Sequence, residues 1–132
     1  MTKVLVIEDN EKNRYLISFI LKDEGFAVIA ATTGEEGVEM ADRESPDLIL
    51  MDIQLPGIDG YEATRRIRVS PVSGKIPIVA LTSYAMSSDR EQAFAAGCNG
   101  YVENPINPDT IIEEILKFLP AEPKQKNRKV KP

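Results

Sequence analysis

The chain of 132 residues contains no histidine, no tryptophan and only one cysteine. Without histidine there is no imidazole to act as a general base, to bind zinc or to activate a nucleophile. The single cysteine, Cys98, cannot form an internal disulfide, so we expect a reducing, cytoplasmic compartment and a packing role for this thiol. Any chemistry of this protein must therefore depend on carboxylates, hydroxyls, backbone groups or a metal ion.

Long hydrophobic runs are also missing. No apolar segment approaches the ~20 residues needed to cross a bilayer. The apolar run before Glu8 has only four residues, Val4–Ile7, which is too short for a signal peptide. We therefore expect neither a membrane span nor a secretory leader. A hydrophobic content of 42% and a charged content of 28% are instead typical of one globular domain.

The charge is distributed unevenly along the chain. Residues 122–132 hold five Lys or Arg and one Glu, which leaves 11 basic and 20 acidic residues in positions 1–121, a net charge of −9. An acidic body is a poor binder of nucleic acid. We expect a domain over residues 1–120, followed by a basic, disordered tail over residues 121–132.

Five short apolar runs alternate with segments of helical periodicity, which predicts a doubly wound α/β domain with five parallel strands and five helices. The predicted strands are Val4–Ile7, Ala27–Ala31, Leu48–Met51, Ile76–Leu81 and Gly100–Val102. We predict that Leu16, Phe19, Ile20 and Asp23 mark one face of the first helix. Helix starts are predicted at Thr33, Asp59, Ser88 and Asn107, and helix ends at Gly25, Pro46, Gly97 and Pro120.

Acidic and hydroxyl residues follow the predicted strands at their carboxyl ends, where ligands bind in open sheets of this type. Glu8 and Asp9 follow the first strand, Asp52 follows the third and Thr82 follows the fourth. Three carboxylates at one edge suit Mg²⁺, which prefers hard oxygen ligands. A carboxylate can also act as a nucleophile, so Asp52 is the candidate to accept a phosphoryl group, with the Thr82 hydroxyl near its oxygens.

These motifs closely resemble the receiver domain of two-component response regulators, and in particular the single-domain, chemotaxis-regulator-like type. The matching segments are VLVIEDN at 4–10, LILMDIQLPGIDGYE at 48–62, IVALTSYA at 78–85 and AAGCNGYVENPINP at 95–108. The resemblance implies a flavodoxin-like fold with strand order 2-1-3-4-5. It also implies a histidine kinase or a histidine phosphotransfer protein as phosphodonor.

The resemblance assigns roles to individual residues. Asp52 would be the phosphoacceptor, and Glu8 and Asp9 would bind Mg²⁺ together with Asp52 and the backbone carbonyl of Gln54. Thr82 and Tyr101 would form the switch pair, and the face of helix 4, strand 5 and helix 5 would bind the downstream target. Ile111 and Phe118 are weaker candidates for that face, since core packing is their commoner fate. The protein would not be an enzyme, apart from at most slow self-dephosphorylation.

One position departs from the family pattern, because Asn104 stands where a lysine is usual. A neutral amide contacts a phosphoryl oxygen less strongly than a cation does, by on the order of 1 kcal/mol or more. We therefore expect phosphorylation of Asp52 to switch this protein weakly.

Three other functions compete with this interpretation. A pseudo-receiver that binds partners without taking phosphate would explain Asn104. An aspartate-nucleophile phosphatase of the haloacid dehalogenase type would need an acid at position 54, where the chain has glutamine. A flavin carrier would need hydroxyls and glycines after the first strand, and the segment EDNEKN has neither.

Overall fold

The computed structural model describes residues 2–83, 87–103 and 106–119, and Asn104, Pro120 and the tail at 121–132 lie outside this range. Within the described residues the chain alternates between five strands and five helices. The strands are β1 (Lys3–Ile7), β2 (Ala27–Ala31), β3 (Leu48–Asp52), β4 (Ile78–Thr82) and β5 (Gly100–Glu103). The helices are α1 (Glu11–Asp23), α2 (Gly34–Glu44), α3 (Gly60–Val69), α4 (Ser87–Ala96) and α5 (Ile111–Leu116).

All five strands pair in parallel in the order β2-β1-β3-β4-β5. This confirms the predicted doubly wound architecture and strand order. Successive residues of each strand face opposite sides of the sheet, so Val4 and Val6 pack with α1 and α5, whereas Leu5 and Ile7 pack with α2, α3 and α4. The sheet is covered on both faces, which is why its central strands are apolar along their length.

Local capping places most helix ends where the sequence predicts them. Thr33 caps α2 by accepting from the Glu36 N–H at 3.1 Å, and Asp59 caps α3 by accepting from the Glu62 N–H at 2.9 Å. Gly25 and Gly97 follow α1 and α4 with φ of 101° and 118°. These left-handed conformations favour glycine, because other residues would meet a steric penalty there.

Two helix starts differ from prediction. Helix α4 already begins at Ser87, so Ser88 is not its cap. Helix α5 begins at Ile111 rather than at Pro108. The carbonyl of Asn107 instead accepts from the Thr110 N–H at 3.1 Å, and its side chain accepts from the Asp109 N–H at 2.9 Å. These short-range bonds form a turn ahead of the helix, which separates the asparagine from the first helical residue.

The packed face of α1 also differs from prediction. Ile17 and Leu21 are buried, whereas Leu16 is 40% exposed and Phe19 is 58% exposed. Of the four predicted residues, only Ile20 packs partly against the core, and Asp23 is exposed. The apolar residues of α1 fit two helical stripes about 100° apart, one through Leu16 and Ile20 and one through Ile17 and Leu21. Periodicity alone could not decide which of the two packs against the sheet.

Two further predictions need correction. Strand β4 begins at Ile78, two residues later than predicted, and the Ile76 carbonyl ahead of it accepts from Arg68 at 2.7 Å. Ile111, a candidate for the partner face, is 1% exposed and belongs to the core. None of the helices in the described part of the chain has the length and hydrophobicity of a membrane span.

Candidate metal centre

Three carboxylates meet at the carboxyl edge of the sheet. Glu8 and Asp9 directly follow β1, and Asp52 is the last residue of the adjacent β3. Ile7 pairs with Met51, so Glu8 and Asp52 come at the same height on neighbouring strands. Each of the three residues offers a carboxylate oxygen within 4.8 Å of the others. The structure thus brings together the three acids that strand order alone places at one edge.

Backbone groups hold two of these carboxylates in place. The Asn10 N–H donates to Glu8 Oε2 at 3.1 Å, and the Gln54 N–H donates to Asp52 Oδ1 at 3.1 Å. The side chain of Asn10 also caps α1 by accepting from the Asn13 N–H at 2.9 Å. An asparagine between a strand and a helix is a recognisable capping signal, so the role of Asn10 was predictable from the sequence.

Arg14 on α1 is a second contributor to the site, and its sequence pattern did not predict this. Its Nη1 donates to the backbone carbonyl of Glu8 at 2.9 Å and to that of Asp9 at 3.3 Å. No sequence pattern predicts this contact, because it depends on where the first turn of α1 places the long Arg14 side chain.

Burial and mutual repulsion govern the charge of the site. Glu8 is 1% exposed and Asp52 is 7% exposed, whereas Asp9 is exposed. Burial, with a hydrogen bond to the Asp52 carboxyl, raises the pKa of Glu8 from 4.5 to about 8. Burial also raises the pKa of Asp52. Glu8 and Asp52 therefore share a proton near neutral pH when no cation is bound.

The donor set fits a divalent cation. Glu8 Oε1 is buried, and no donor reaches it among the residues that the structure describes. An ionised carboxylate oxygen in that position is costly unless a proton or a cation satisfies it. Three carboxylates with one exposed member, Asp9, supply hard oxygen ligands and leave room for water, as Mg²⁺ requires.

The other predicted site residues follow β3 or lie on β4 and β5. Thr82 ends β4 next to β3 and is 8% exposed. Gln54 is exposed, two residues after Asp52. Tyr101 on β5 is half-buried, with the Arg90 guanidinium 5.1 Å from its ring centre. The roles predicted for these residues stay predictions, and Asn104 lies outside the described range.

The fold and the acidic edge agree with a family match. The family model of the response regulator receiver domain matches residues 4–116, which is most of the chain. The chain belongs to this family, and it is a receiver domain of two-component signalling.

Individual members of the family are similar to this chain over most of its length. The polar-differentiation response regulator DivK of Brucella ovis is 38% identical over 120 residues, covering 90% of this chain and 98% of DivK. The receiver domain of the sensor histidine kinase PA1611 from Pseudomonas aeruginosa, solved with a magnesium ion coordinated in its active-site cleft, is 36% identical with a TM-score of 0.83, covering 89% of this chain and 96% of that one. The receiver domain of Saccharomyces cerevisiae Ssk1, solved with the histidine phosphotransfer protein Ypd1, is 29% identical with a TM-score of 0.81, covering 89% and 88% of the two chains.

Proposed function

We propose that Asp52 accepts a phosphoryl group from a histidine kinase or a histidine phosphotransfer protein, and that the modified domain signals by binding a partner. The observation that carries this proposal is the close approach of three carboxylates, of which Asp52 ends a rigid central strand. The Ssk1 domain, a structural relative, was solved with a phosphotransfer protein, which supports a donor of that class. These 132 residues contain no histidine, so a phosphohistidine that serves as donor must lie outside them.

The transfer is a nucleophilic substitution at phosphorus. An oxygen of the Asp52 carboxylate forms a bond to phosphorus as the bond between phosphorus and the donor's imidazole nitrogen breaks, and the electron pair stays on that nitrogen. The Gln54 N–H, which donates to Asp52 Oδ1, fixes the orientation of the nucleophile. The Thr82 hydroxyl, at the end of the neighbouring strand, is our candidate to contact a phosphoryl oxygen.

Glu8, Asp9, Asp52 and the backbone carbonyl of Gln54 would hold Mg²⁺. The bound ion offsets negative charge on the carboxylates and on the incoming phosphoryl group. The magnesium-bound PA1611 domain, which has the same fold, supports this assignment. Without the ion, Glu8 and Asp9 contribute negative charge next to Asp52.

The proposal has a direct test. The full chain is treated with a small acyl phosphate and Mg²⁺, and intact mass is measured for addition of one phosphoryl group. Wild type and the exposed control Asp23→Asn should gain the group, whereas Asp52→Asn should not. A modified Asp52→Asn variant, or a wild type that never gains the group, would exclude Asp52 as the acceptor.

We also propose that the protein is a phosphoacceptor and not a phosphatase. The exposed Gln54 lacks the acid that an aspartate-nucleophile phosphatase would need two residues after the nucleophile. Incubation with an aryl phosphate should therefore show at most one turnover followed by slow loss of phosphate. Sustained hydrolysis, lost in Asp52→Asn, would instead establish the enzymatic alternative.

The downstream surface that we propose is formed by α4, β5 and α5. A groove of about 450 Å³ there is lined by Tyr101, Val102, Glu103, Asn107, Thr110 and Glu114. The Arg90–Tyr101 contact lies on the same face. A change of the Tyr101 rotamer would alter both the groove and this contact, so Tyr101 can report the state of the site to a partner. The buried Cys98 suits a reducing cytoplasm, where we place this signalling.

Asn104 favours a weak switch or, as a second candidate, a pseudo-receiver that takes no phosphate. The carboxylates sum to −3 and Mg²⁺ brings the site to −1, whereas a lysine at position 104 would bring it to zero. We expect Asn104→Lys to raise the active fraction seen by NMR in the presence of beryllofluoride. An unchanged fraction would contradict weak coupling, and stable phosphate on Asp52 of the wild type would exclude the pseudo-receiver.

A further inference from the structure

We propose that Arg14 is a positioning residue of the acidic site: its guanidinium holds the turn that carries Glu8 and Asp9, and thereby sets the spacing of the cation ligands. This inference rests on the proposed function, since it takes the three carboxylates to be a Mg²⁺ site.

The contact is made by a single nitrogen. Nη1 of Arg14 donates to the carbonyl oxygens of Glu8 and Asp9, at 2.9 and 3.3 Å. Both carbonyls lie just beyond β1, where strand pairing with β3 ends at Ile7. Arg14 therefore supplies donors at the point where the sheet stops supplying them.

The same turn is tied to α1 at a second point. The Arg14 backbone N–H donates to the Asn10 carbonyl at 2.9 Å, and the Asn10 N–H donates to Glu8 Oε2 at 3.1 Å. Asn10 thus orients the side chain of Glu8, whereas Arg14 holds the backbone of Glu8 and Asp9. Loss of the Arg14 side chain would free that backbone and leave the two carboxylates less well placed relative to Asp52.

Arg14 acts through the backbone rather than through an ion pair. Among the described residues its guanidinium forms no salt bridge with a carboxylate. Its positive charge would by itself repel a divalent cation, so charge and positioning predict opposite results when Arg14 is removed. We expect positioning to dominate, because Mg²⁺ demands near-octahedral geometry and the charge of the partly exposed Arg14 is screened by solvent.

The test measures Mg²⁺ affinity in the full chain by ¹H–¹⁵N NMR titration at constant ionic strength. Arg14→Met removes the donors and keeps the aliphatic stem. Since residues that orient metal ligands are worth ~10–100-fold in affinity, we expect its Kd to rise about tenfold. Arg14→Lys retains several donors on one nitrogen and should recover most of this loss. Lys12→Met, at an exposed α1 residue, changes the net charge equally and should leave the Kd within about twofold.

The outcomes separate the possible roles. Unchanged or tighter binding in Arg14→Met would overturn the proposal, as would an equal loss in Lys12→Met. The metal-free spectrum of Arg14→Met should differ from wild type only around residues 8–14. If it changed throughout, and Arg14→Lys restored neither spectrum nor affinity, the role would be general stability and not positioning. A wild type that fails to bind Mg²⁺ would instead remove the proposed function itself.

Discussion

Glu8 and Asp52 lie side by side at the ends of two neighbouring strands, where burial, together with a hydrogen bond between their carboxyl groups, raises the pKa of Glu8 to about 8. Two acids in that arrangement are poorly satisfied without a proton or a cation between them. The site is therefore destabilised in its ionised, metal-free form, which supports the proposal that a cation binds there.

The stability of the metal-free protein should fall as pH rises. Between about pH 4.5 and about 8 the folded state keeps a proton on Glu8 that the unfolded state has released. The folded state binds more protons in this window, so the free energy of unfolding is highest at its acidic end and decreases toward its basic end. We expect a loss on the order of a few kcal/mol, measured by urea unfolding in the presence of a chelator.

Glu8→Gln and Mg²⁺ are the controls for this pH dependence. The amide does not titrate, so Glu8→Gln should flatten the dependence between about pH 5 and about pH 8. Saturating Mg²⁺ should remove the decrease in wild type, because the cation binds the ionised carboxylates. A stability that rises with pH in the chelated wild type would contradict the shared proton.

Gly60 should be intolerant of even a methyl group. A Cβ at position 60 would clash with the Asp52 carbonyl oxygen and would lie 2.7 Å from the Ile53 Cα. Backbone atoms cannot move aside cheaply, so Gly60→Ala should destabilise the protein by about 2 kcal/mol or more in urea unfolding. Gly34→Ala is the matched control, since Gly34 also begins a helix but its Cβ would mainly meet the half-buried Ile58 side chain, at 2.7 Å. Equal losses in the two variants would show that helix starts, and not the Asp52 backbone, explain the effect.

The packed face of α1 can be tested with two truncations. Ile17 is 1% exposed, so Ile17→Ala should lower the free energy of unfolding by roughly 2–5 kcal/mol. Phe19 is 58% exposed, so Phe19→Ala should change it by less than about 1 kcal/mol. The reverse ranking would mean that α1 packs through the stripe that periodicity first suggested.

Cys98 should react slowly with alkylating reagents in the folded protein. Its side chain is 6% exposed, and burial raises the pKa of the thiol above 9.0. Little thiolate is present at about pH 8, and what forms is shielded from the reagent. Mass spectrometry after iodoacetamide treatment should show labelling in urea but little in buffer. Rapid labelling of the native protein would contradict a packing role.

Much of the fold was predictable because it depends on local rules. Thr33 and Asp59 cap helices because each side chain accepts a hydrogen bond from the backbone N–H three residues further along the chain. Gly25 and Gly97 end helices because they adopt positive φ. Such signals are legible without tertiary information. The start of α5 was harder to predict from the sequence, because Asn107 can cap either a helix or an isolated turn.

The sequence by itself determined the alternation of strands and helices, and with it the parallel sheet and the meeting of Glu8, Asp9 and Asp52 at one edge. Parallel strands joined by helices must place their carboxyl ends together. Only the tertiary structure decided that α1 packs through Ile17 and that Arg14 reaches the carbonyls of Glu8 and Asp9. These features depend on the rotation of a helix against the sheet, and neighbouring residues from distant parts of the chain set that rotation.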